Sequence, residues 1–250
     1  MTQITANQNA LDISVVVPAH NEAGAIEGLV QEIAEALNGY AFEIIVIDDK
    51  SKDNTLEVLH AAKAKYTQLR VLAHQFNAGQ SAAIISGVRS ARAPIIGTLD
   101  GDGQNDPKDL PKLLRILTRI DAPQDLAMVG GMRIKRQDSD AKKYASKIAN
   151  AVRQWMLKDG AIDSGCGIKV VKREIFLKLP YFDHMHRYMA ALVKQAGQQV
   201  EFAEVHHRAR ETGASKYTNI GRLIAALSDL FGVMWLATRH RNSGKLTEIE

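Results

Sequence analysis

The sequence predicts an α/β protein with a mostly parallel sheet flanked by helices, and two observations support this fold class. Short apolar runs alternate with longer amphipathic segments through the first half of the chain, which is typical of parallel β-α-β units. Polar and acidic residues follow several apolar runs directly, and ligands of such sheets bind beyond the carboxyl ends of the strands. The 250 residues show no repeat and no break in composition, so we expect one domain.

The apolar runs define the predicted strands. They are Ile13–Pro18, Phe42–Ile47, Leu69–Leu72, Ile95–Leu99, Leu126–Val129, Ile168–Val171 and Gln199–Val205. The predicted helices are Ala23–Leu37, one capped by Asp53-Asn54-Thr55, Gly79–Ala91, one starting at Pro107, Ala141–Leu157, His184–Gln195 and Asn219–Arg239.

Composition and charge indicate which partners and which cellular compartment to expect. A net charge of +4 is only mildly basic, so it suits anionic substrates or an anionic membrane surface, and we expect no nucleic-acid partner. The single cysteine, Cys166, excludes an internal disulfide framework and fits a reducing compartment. No signal peptide and no run of about 20 apolar residues is evident, so we expect a cytoplasmic protein with at most peripheral membrane contact.

An acidic run, Asp100-Gly-Asp102-Gly-Gln104, follows a predicted internal strand. Two carboxylates one residue apart can converge on one hard cation, and Mg²⁺ or Mn²⁺ favours such oxygen ligands. The intervening Gly101 lets the backbone turn without a side chain in the way. An isolated run of this kind is more often a solvated loop that caps the next helix, and its place at the end of an internal strand favours the metal site.

Two more polar clusters follow strands. Asp48-Asp49 ends the second strand, where an acid can accept hydrogen bonds from a ribose or a base edge, or can serve only the turn. Pro18-Ala-His-Asn-Glu22 lies where a dinucleotide fold would place a glycine-rich turn. Because Gly-x-Gly-x-x-Gly is absent, a nicotinamide dehydrogenase is the least favoured interpretation.

These motifs stand in an order that resembles family 2 glycosyltransferases, and most closely the polyprenyl-phosphate glycosyltransferases of the dolichol-phosphate mannose synthase type. The matching segments are Pro18–Glu22, Asp48-Asp49-x-Ser51, Asn77–Ala83, Asp100–Pro107, Arg133, Asp163–Gly167, His186-Arg187 and His207–Tyr217. The resemblance runs from about Ile13 to Arg239. It implies the GT-A fold, a nucleotide-sugar donor with a GDP or UDP leaving group, and transfer with inversion. Lys50 departs from the pattern, because glycine is usual at that position.

The resemblance also implies roles for single residues. Pro18, Glu22, Asp48, Asp49 and Asp100 match nucleotide-binding positions. Asp100, Asp102 and Gln104 match the surroundings of a Mg²⁺ or Mn²⁺ ion. Arg133, Asp163, Ser215 and Lys216 fall on the acceptor or phosphate side, and the residues predicted to be catalytic are Asp102, Arg210 and Lys216.

A lipid phosphate as acceptor suits this set of residues. A lipid monophosphate is already anionic at neutral pH, so its attack needs positioning by cations such as Arg210 and Lys216 rather than a general base. A saccharide or glycolipid hydroxyl as acceptor would need a base, for which Asp163 is the candidate. Asp163 could equally orient the acceptor side or cap the turn before Gly165. A third hypothesis is a non-catalytic protein that binds nucleotide-sugars.

The C-terminal helix is the last predicted element. It carries only Arg222 and Asp229 as charges between Ile220 and Ala237, and basic residues follow it. The pattern fits a core helix or an amphipathic helix in the plane of a membrane interface. The expected organisation is a flexible N-terminus over 1–12, the glycosyltransferase domain over 13–217, this helix over 218–240 and a polar tail over 241–250.

Overall fold

The computed structural model describes residues 10–133, 153–161, 163–208 and 219–239. Most of the predicted helix Ala141–Leu157 lies outside these ranges, and residues 153–157 within them are helical. Arg210, Ser215 and Lys216 also lie outside the described residues.

A seven-stranded sheet forms the centre of the protein, in the order β3-β2-β1-β4-β6-β5-β7. The strands are β1 (Ile13–Ala19), β2 (Phe42–Asp48), β3 (Leu69–Ala73), β4 (Ile95–Thr98), β5 (Leu126–Arg133), β6 (Lys169–Lys172) and β7 (Gln199–Val205). β6 runs antiparallel to both of its neighbours, and the other pairs are parallel. The predicted mostly parallel sheet is confirmed.

Helices cover both faces of the sheet because its central strands are buried on both sides. The helices are α1 (Ile26–Ala36), α2 (Thr55–Lys65), α3 (Gln80–Ser90), α4 (Leu110–Thr118), α5 (Arg173–Lys178), α6 (Met189–Gln195) and α7 (Asn219–Arg239). Successive residues of β1 point to opposite faces: Val15 and Val17 pack with α1 and α4, whereas Val16 packs with α3 and α6. Within the described ranges, no helix combines the length and the apolar character that crossing a membrane requires.

One predicted helix is divided in the structure. The sequence predicts a continuous helix over His184–Gln195, but His184 has a left-handed backbone (φ 63°), a 3-10 turn spans Met185–Arg187, and α6 starts only at Met189. Tyr188 interrupts the helical conformation with a φ of −111° and a ψ of 9°. The division matters because it moves His186 from a helix surface into a tight turn.

The sheet order brings the polar clusters together. The chain passes from β1 through β2 to β3 on one side and then returns to place β4 on the other side of β1. In open α/β sheets the crevice beside such a reversal is the usual ligand site. Residues at or just beyond the ends of β1, β2 and β4 therefore share one edge of the sheet: His20, Asp48 and Asp100.

Candidate functional site

The acidic loop after β4 is held by its own side chains and by one side chain of α3. Asn105, which is buried, accepts the backbone N–H of Asp100 on its Oδ1 (3.2 Å). Asp102 accepts the N–H of Gln104 on its Oδ1 (3.2 Å). Gln80, the first residue of α3, donates its side-chain N–H to Asp100 Oδ1 (2.7 Å). Both carboxylates are thus fixed on one short turn.

Glycine is required at two positions around this loop. A Cβ on Gly101 would lie 2.6 Å from the carbonyl oxygen of Pro18, so close approach to β1 excludes a side chain there. A Cβ on Gly167 would overlap the carboxylate of Asp100. The loop before β6 therefore packs directly against the acidic loop.

Burial raises the pKa of Asp100, and the neighbouring charge of Asp102 raises it further. Lys169, which is buried on β6, acts in the opposite direction on the pKa of Asp100. Burial also lowers the pKa of Lys169. Two acids this close, with one of them desolvated, form a site in which added positive charge is favourable.

Asp48, at the predicted nucleotide site, has a carboxylate oxygen that can accept a further hydrogen bond. Its Oδ2 accepts the backbone N–H of Ser51 at 3.3 Å, and its buried Oδ1 has no hydrogen-bond partner among the described residues. A buried acceptor of this kind normally finds a donor, so the contact expected from a ribose or a base fits this atom. Pro18 and Glu22 flank it on β1 and in the following turn, where the Glu22 N–H donates to Thr55 Oγ1 (2.9 Å).

Asp49 differs from Asp48 because its carboxylate is occupied within the chain. It accepts the backbone N–H groups of Ala78 (2.9 Å) and Gly79 (2.8 Å), and it lies 2.7 Å from Nδ1 of His74. Asp49 thus fixes the start of α3, from which Gln80 reaches Asp100. The predicted contact of Asp49 with nucleotide stays a prediction.

Lys50, where the resemblance leads one to expect glycine, has a left-handed backbone with a φ of 59°. This conformation costs a residue with a side chain about 1–2 kcal/mol. Lys50→Gly is therefore expected to raise the free energy of unfolding by about 0.5–1 kcal/mol, since the greater chain entropy of glycine in the unfolded state offsets part of the gain. Urea denaturation checks this, and Lys52→Gly at a neighbouring exposed residue is the control. A Lys50→Gly protein less stable than the wild type would contradict the explanation.

Arg133 and Asp163 form a bidentate ion pair. Nε and Nη2 of Arg133 donate to the two Asp163 oxygens at 2.5 and 2.6 Å, and both side chains are largely buried. This pair raises the pKa of the Arg133 guanidinium. Asp163 therefore orients Arg133 from 30 residues away, whereas the sequence did not indicate which residue Asp163 would contact.

His186 and Arg187 do not lie on an α-helix, although the predicted helix His184–Gln195 includes them. His186 lies in the 3-10 turn with its Nδ1 2.7 Å from the Ser81 hydroxyl, and Arg187 is exposed. Burial, with the charge of Lys169 as a second cause, lowers the pKa of His186 to about 3. His186 is therefore neutral at physiological pH.

The start of the basic segment, residues 207–217, lies against the acidic loop. Asn105 and His207 form an isolated antiparallel bridge, and the Arg208 N–H donates to the carbonyl oxygen of Gln104 at 2.9 Å. The chain then enters residues 209–218, which carry Arg210, Ser215 and Lys216 outside the described ranges.

Several residues of this site had no role in the sequence interpretation. They are Gln80, Asn105, Lys169 and Arg208. Lys169 could have been singled out from the sequence, because a lysine within the apolar run Ile168–Val171 has to be either exposed or paired. For the other three, the partners or the roles depend on the folded chain, and no local pattern indicates them.

A divalent cation fits the acidic loop. Within the described ranges no group of three His, Cys, Asp or Glu side chains is arranged to bind a metal without ligands from another molecule. Mg²⁺, however, is often held by one or two carboxylates together with substrate phosphates. Asp100 and Asp102 supply the carboxylates, and Gln104 follows them on the same turn.

Comparison with known proteins agrees with this geometry. The family model for glycosyl transferase family 2 matches residues 14–179. The dodecaprenyl-phosphate galacturonate synthase of Rhizobium johnstonii is 35% identical over 90% of this chain and 67% of its own length. The undecaprenyl-phosphate 4-deoxy-4-formamido-L-arabinose transferase of Yersinia pestis is 32% identical over 91% of this chain and 68% of its own.

A solved structure supports the fold. The glucosyl-3-phosphoglycerate synthase of Mycobacterium tuberculosis, in complex with Mn²⁺, UDP-glucose and glycerol 3-phosphate, matches with a TM-score of 0.68 and 18% identity. The match covers 94% of this chain and 82% of the synthase. The chain belongs to glycosyltransferase family 2.

Proposed function

We propose that this protein transfers a sugar from a nucleotide-sugar to a polyprenyl phosphate, with inversion at the anomeric carbon. The observation that carries the proposal is the Asn105–His207 bridge, because it joins the acidic loop to the start of the basic segment. A leaving diphosphate and an attacking phosphate would need these two groups of charges side by side. The two polyprenyl-phosphate sugar transferases at 35% and 32% identity support the choice of acceptor.

The donor would bind along the carboxyl ends of β1, β2 and β4. Asp48 offers its Oδ1 to the nucleoside, while Pro18 and Glu22 border the same crevice. Asp100, Asp102 and Gln104 would hold Mg²⁺ or Mn²⁺ with the diphosphate oxygens. When bound, the cation would neutralise the charge that develops on the diphosphate leaving group.

The reaction needs no general base. An oxygen of the lipid phosphate forms a bond to the anomeric carbon, and the bond from that carbon to the nucleoside diphosphate breaks. The acceptor oxygen already carries its negative charge, so no proton has to be removed. The products are a sugar-phospholipid and a nucleoside diphosphate.

Cations on the acceptor side would hold the attacking phosphate. We assign this to Arg210 and Lys216 of the basic segment, with the Ser215 hydroxyl as a further hydrogen-bond donor, and to Arg133, which Asp163 orients. A hydroxyl acceptor is less favoured, because Asp163, its candidate base, already binds Arg133 through both oxygens.

Helix α7 would place the protein at the cytoplasmic face of a membrane. Leu230 and Val233 pack into the core, while Leu227, Phe231 and Trp235 are exposed. The Arg239 guanidinium lies 5.7 Å from the centre of the Trp235 ring. An apolar face with a tryptophan and a cation at its end suits the interface of an anionic bilayer.

Replacing both Phe231 and Trp235 by serine is expected to weaken binding to phosphatidylglycerol vesicles by about a hundredfold or more, because each apolar side chain buried in lipid contributes roughly 1.5–3 kcal/mol. Co-sedimentation at low and high salt measures this. Ile120→Ser is the control, since Ile120 is fully exposed on another surface. Equal vesicle binding by the double variant and the wild type would exclude α7 as the contact.

A donor screen tests the reaction. The purified protein is incubated with Mn²⁺ or Mg²⁺, undecaprenyl phosphate and each of a set of UDP- and GDP-sugars, and lipid products are identified by mass. We expect one donor class to give a lipid whose mass increases by one sugar residue. If the full set of donors yields no such lipid, the proposed function is wrong.

A further inference from the structure

Arg208 binds two separate elements with one guanidinium. Its Nη1 donates to both oxygens of Glu32 on α1, at 2.9 and 2.7 Å. Its Nη2 lies 2.9 Å from Oδ1 of Asp106, two residues beyond Gln104. The side chain therefore ties the chain after β7 to α1 and to the end of the acidic loop.

Backbone contacts place this side chain at the junction of the two loops. The Arg208 N–H donates to the Gln104 carbonyl, and the preceding His207 pairs with Asn105. One residue earlier, the His206 N–H donates to Oδ2 of Asp109 at 2.7 Å. Residues 206–208 thus run along the acidic loop and the turn that follows it.

The occupied guanidinium separates the roles of two arginines in the motif His207-Arg-Ala-Arg210. A guanidinium that already binds two carboxylates has fewer N–H donors left for a phosphate. Glu32 and Asp106 carry two negative charges against the one positive charge of Arg208, so this cluster is anionic, which is unfavourable for binding a phosphate. Arg208 is therefore suited to hold the backbone from which Arg210 follows two residues later.

We propose that Arg208 is a positioning residue that fixes residues 207 and 208, the start of the basic segment, against the acidic loop through Glu32 and Asp106. The inference rests on the proposed function, since that function gives the basic segment a phosphate to bind. Asp100 is also held by Gln80, which lies on α3 and outside this junction. Loss of the Arg208 contacts should therefore impair the use of the acceptor lipid more than the binding of the nucleotide-sugar.

The test compares Arg208→Ala, Arg208→Lys and Glu32→Gln with Arg115→Ala, an exposed arginine on α4. For Arg208→Ala we expect kcat/KM for undecaprenyl phosphate to fall by about 10- to 100-fold, the size of effect that misplacing a substrate-binding group produces. The KM for the nucleotide-sugar should change less than about twofold, since the misplaced groups lie on the acceptor side. Arg208→Lys keeps one ion pair and should recover part of the loss, and Glu32→Gln should show a smaller loss in the same direction.

Hydrogen exchange supplies a readout that does not depend on activity. The peptide covering 204–208 should exchange faster in Arg208→Ala and Glu32→Gln than in the wild type and Arg115→Ala. Unchanged exchange in both variants would overturn the inference. Equal losses of kcat/KM for the nucleotide-sugar and for undecaprenyl phosphate would overturn it too. If the wild type makes no glycolipid, the proposed function fails while hydrogen exchange still decides the role of Arg208.

Discussion

Asp102→Asn is expected to lower turnover by about 10³-fold or more while the protein stays folded. A bound cation stabilises charge on a leaving group by several kcal/mol, and each ~1.36 kcal/mol corresponds to a factor of ten in rate. The fold should survive because the asparagine oxygen can still accept the Gln104 N–H that Asp102 accepts now.

Initial rates over a range of Mn²⁺ concentrations measure the effect. High Mn²⁺ should restore part of the activity, since the amide is a weaker ligand and not an absent one. Asp121→Asn, at an exposed carboxylate on another surface, is the matched control. Turnover within about threefold of the wild type, far from the several kcal/mol expected of a metal ligand, would remove Asp102 from the metal site.

Asp163→Ala is expected to destabilise the protein by about 3–5 kcal/mol, the usual effect of removing one partner from a buried ion pair. The side chains of Arg133 and Asp163 are only 14% and 8% exposed, so the remaining guanidinium would stay desolvated. Guanidinium chloride denaturation measures the loss. Activity should fall as well, because Arg133 would no longer be oriented.

The chain offers a control ion pair that is also bidentate but more exposed to solvent. Arg119 also binds a carboxylate through two nitrogens, at 2.9 and 2.6 Å from Glu201, but these side chains are 31% and 36% exposed. Glu201→Ala should therefore cost only about 0–1 kcal/mol. If the two alanine variants lose the same stability, burial does not explain the importance of the Arg133–Asp163 pair.

The sequence was sufficient to predict the sheet and the convergence of Asp48 and Asp100. Both stand at the ends of buried strands, and the carboxyl ends of parallel strands meet at one edge. It could not predict that β6 runs antiparallel, because an apolar run such as Ile168–Val171 does not encode strand direction. It also could not predict the break before α6, which depends on the left-handed backbone of His184.

Roles within the site depended on contacts that only the folded chain contains. Asp48 and Asp49 are equivalent in the sequence. In the described part of the fold, however, Asp48 keeps an oxygen without a partner, whereas Asp49 binds Ala78, Gly79 and His74. For Asp163 the sequence left open an acceptor-side role and a turn cap, and neither interpretation named Arg133 as its partner. In each case the distinction rests on partners about 25 to 30 residues away.

The choice between a phosphate and a hydroxyl acceptor tests the central claim most directly. Undecaprenyl phosphate and undecaprenol share one lipid tail, so the active donor of the screen is offered to both under the same conditions, and sugar incorporation into each lipid is measured. We predict a glycosylated product from undecaprenyl phosphate alone, with the sugar joined through phosphorus. Transfer to undecaprenol at a comparable rate, or transfer to neither lipid, would contradict the proposal that the site joins an attacking phosphate to a leaving diphosphate.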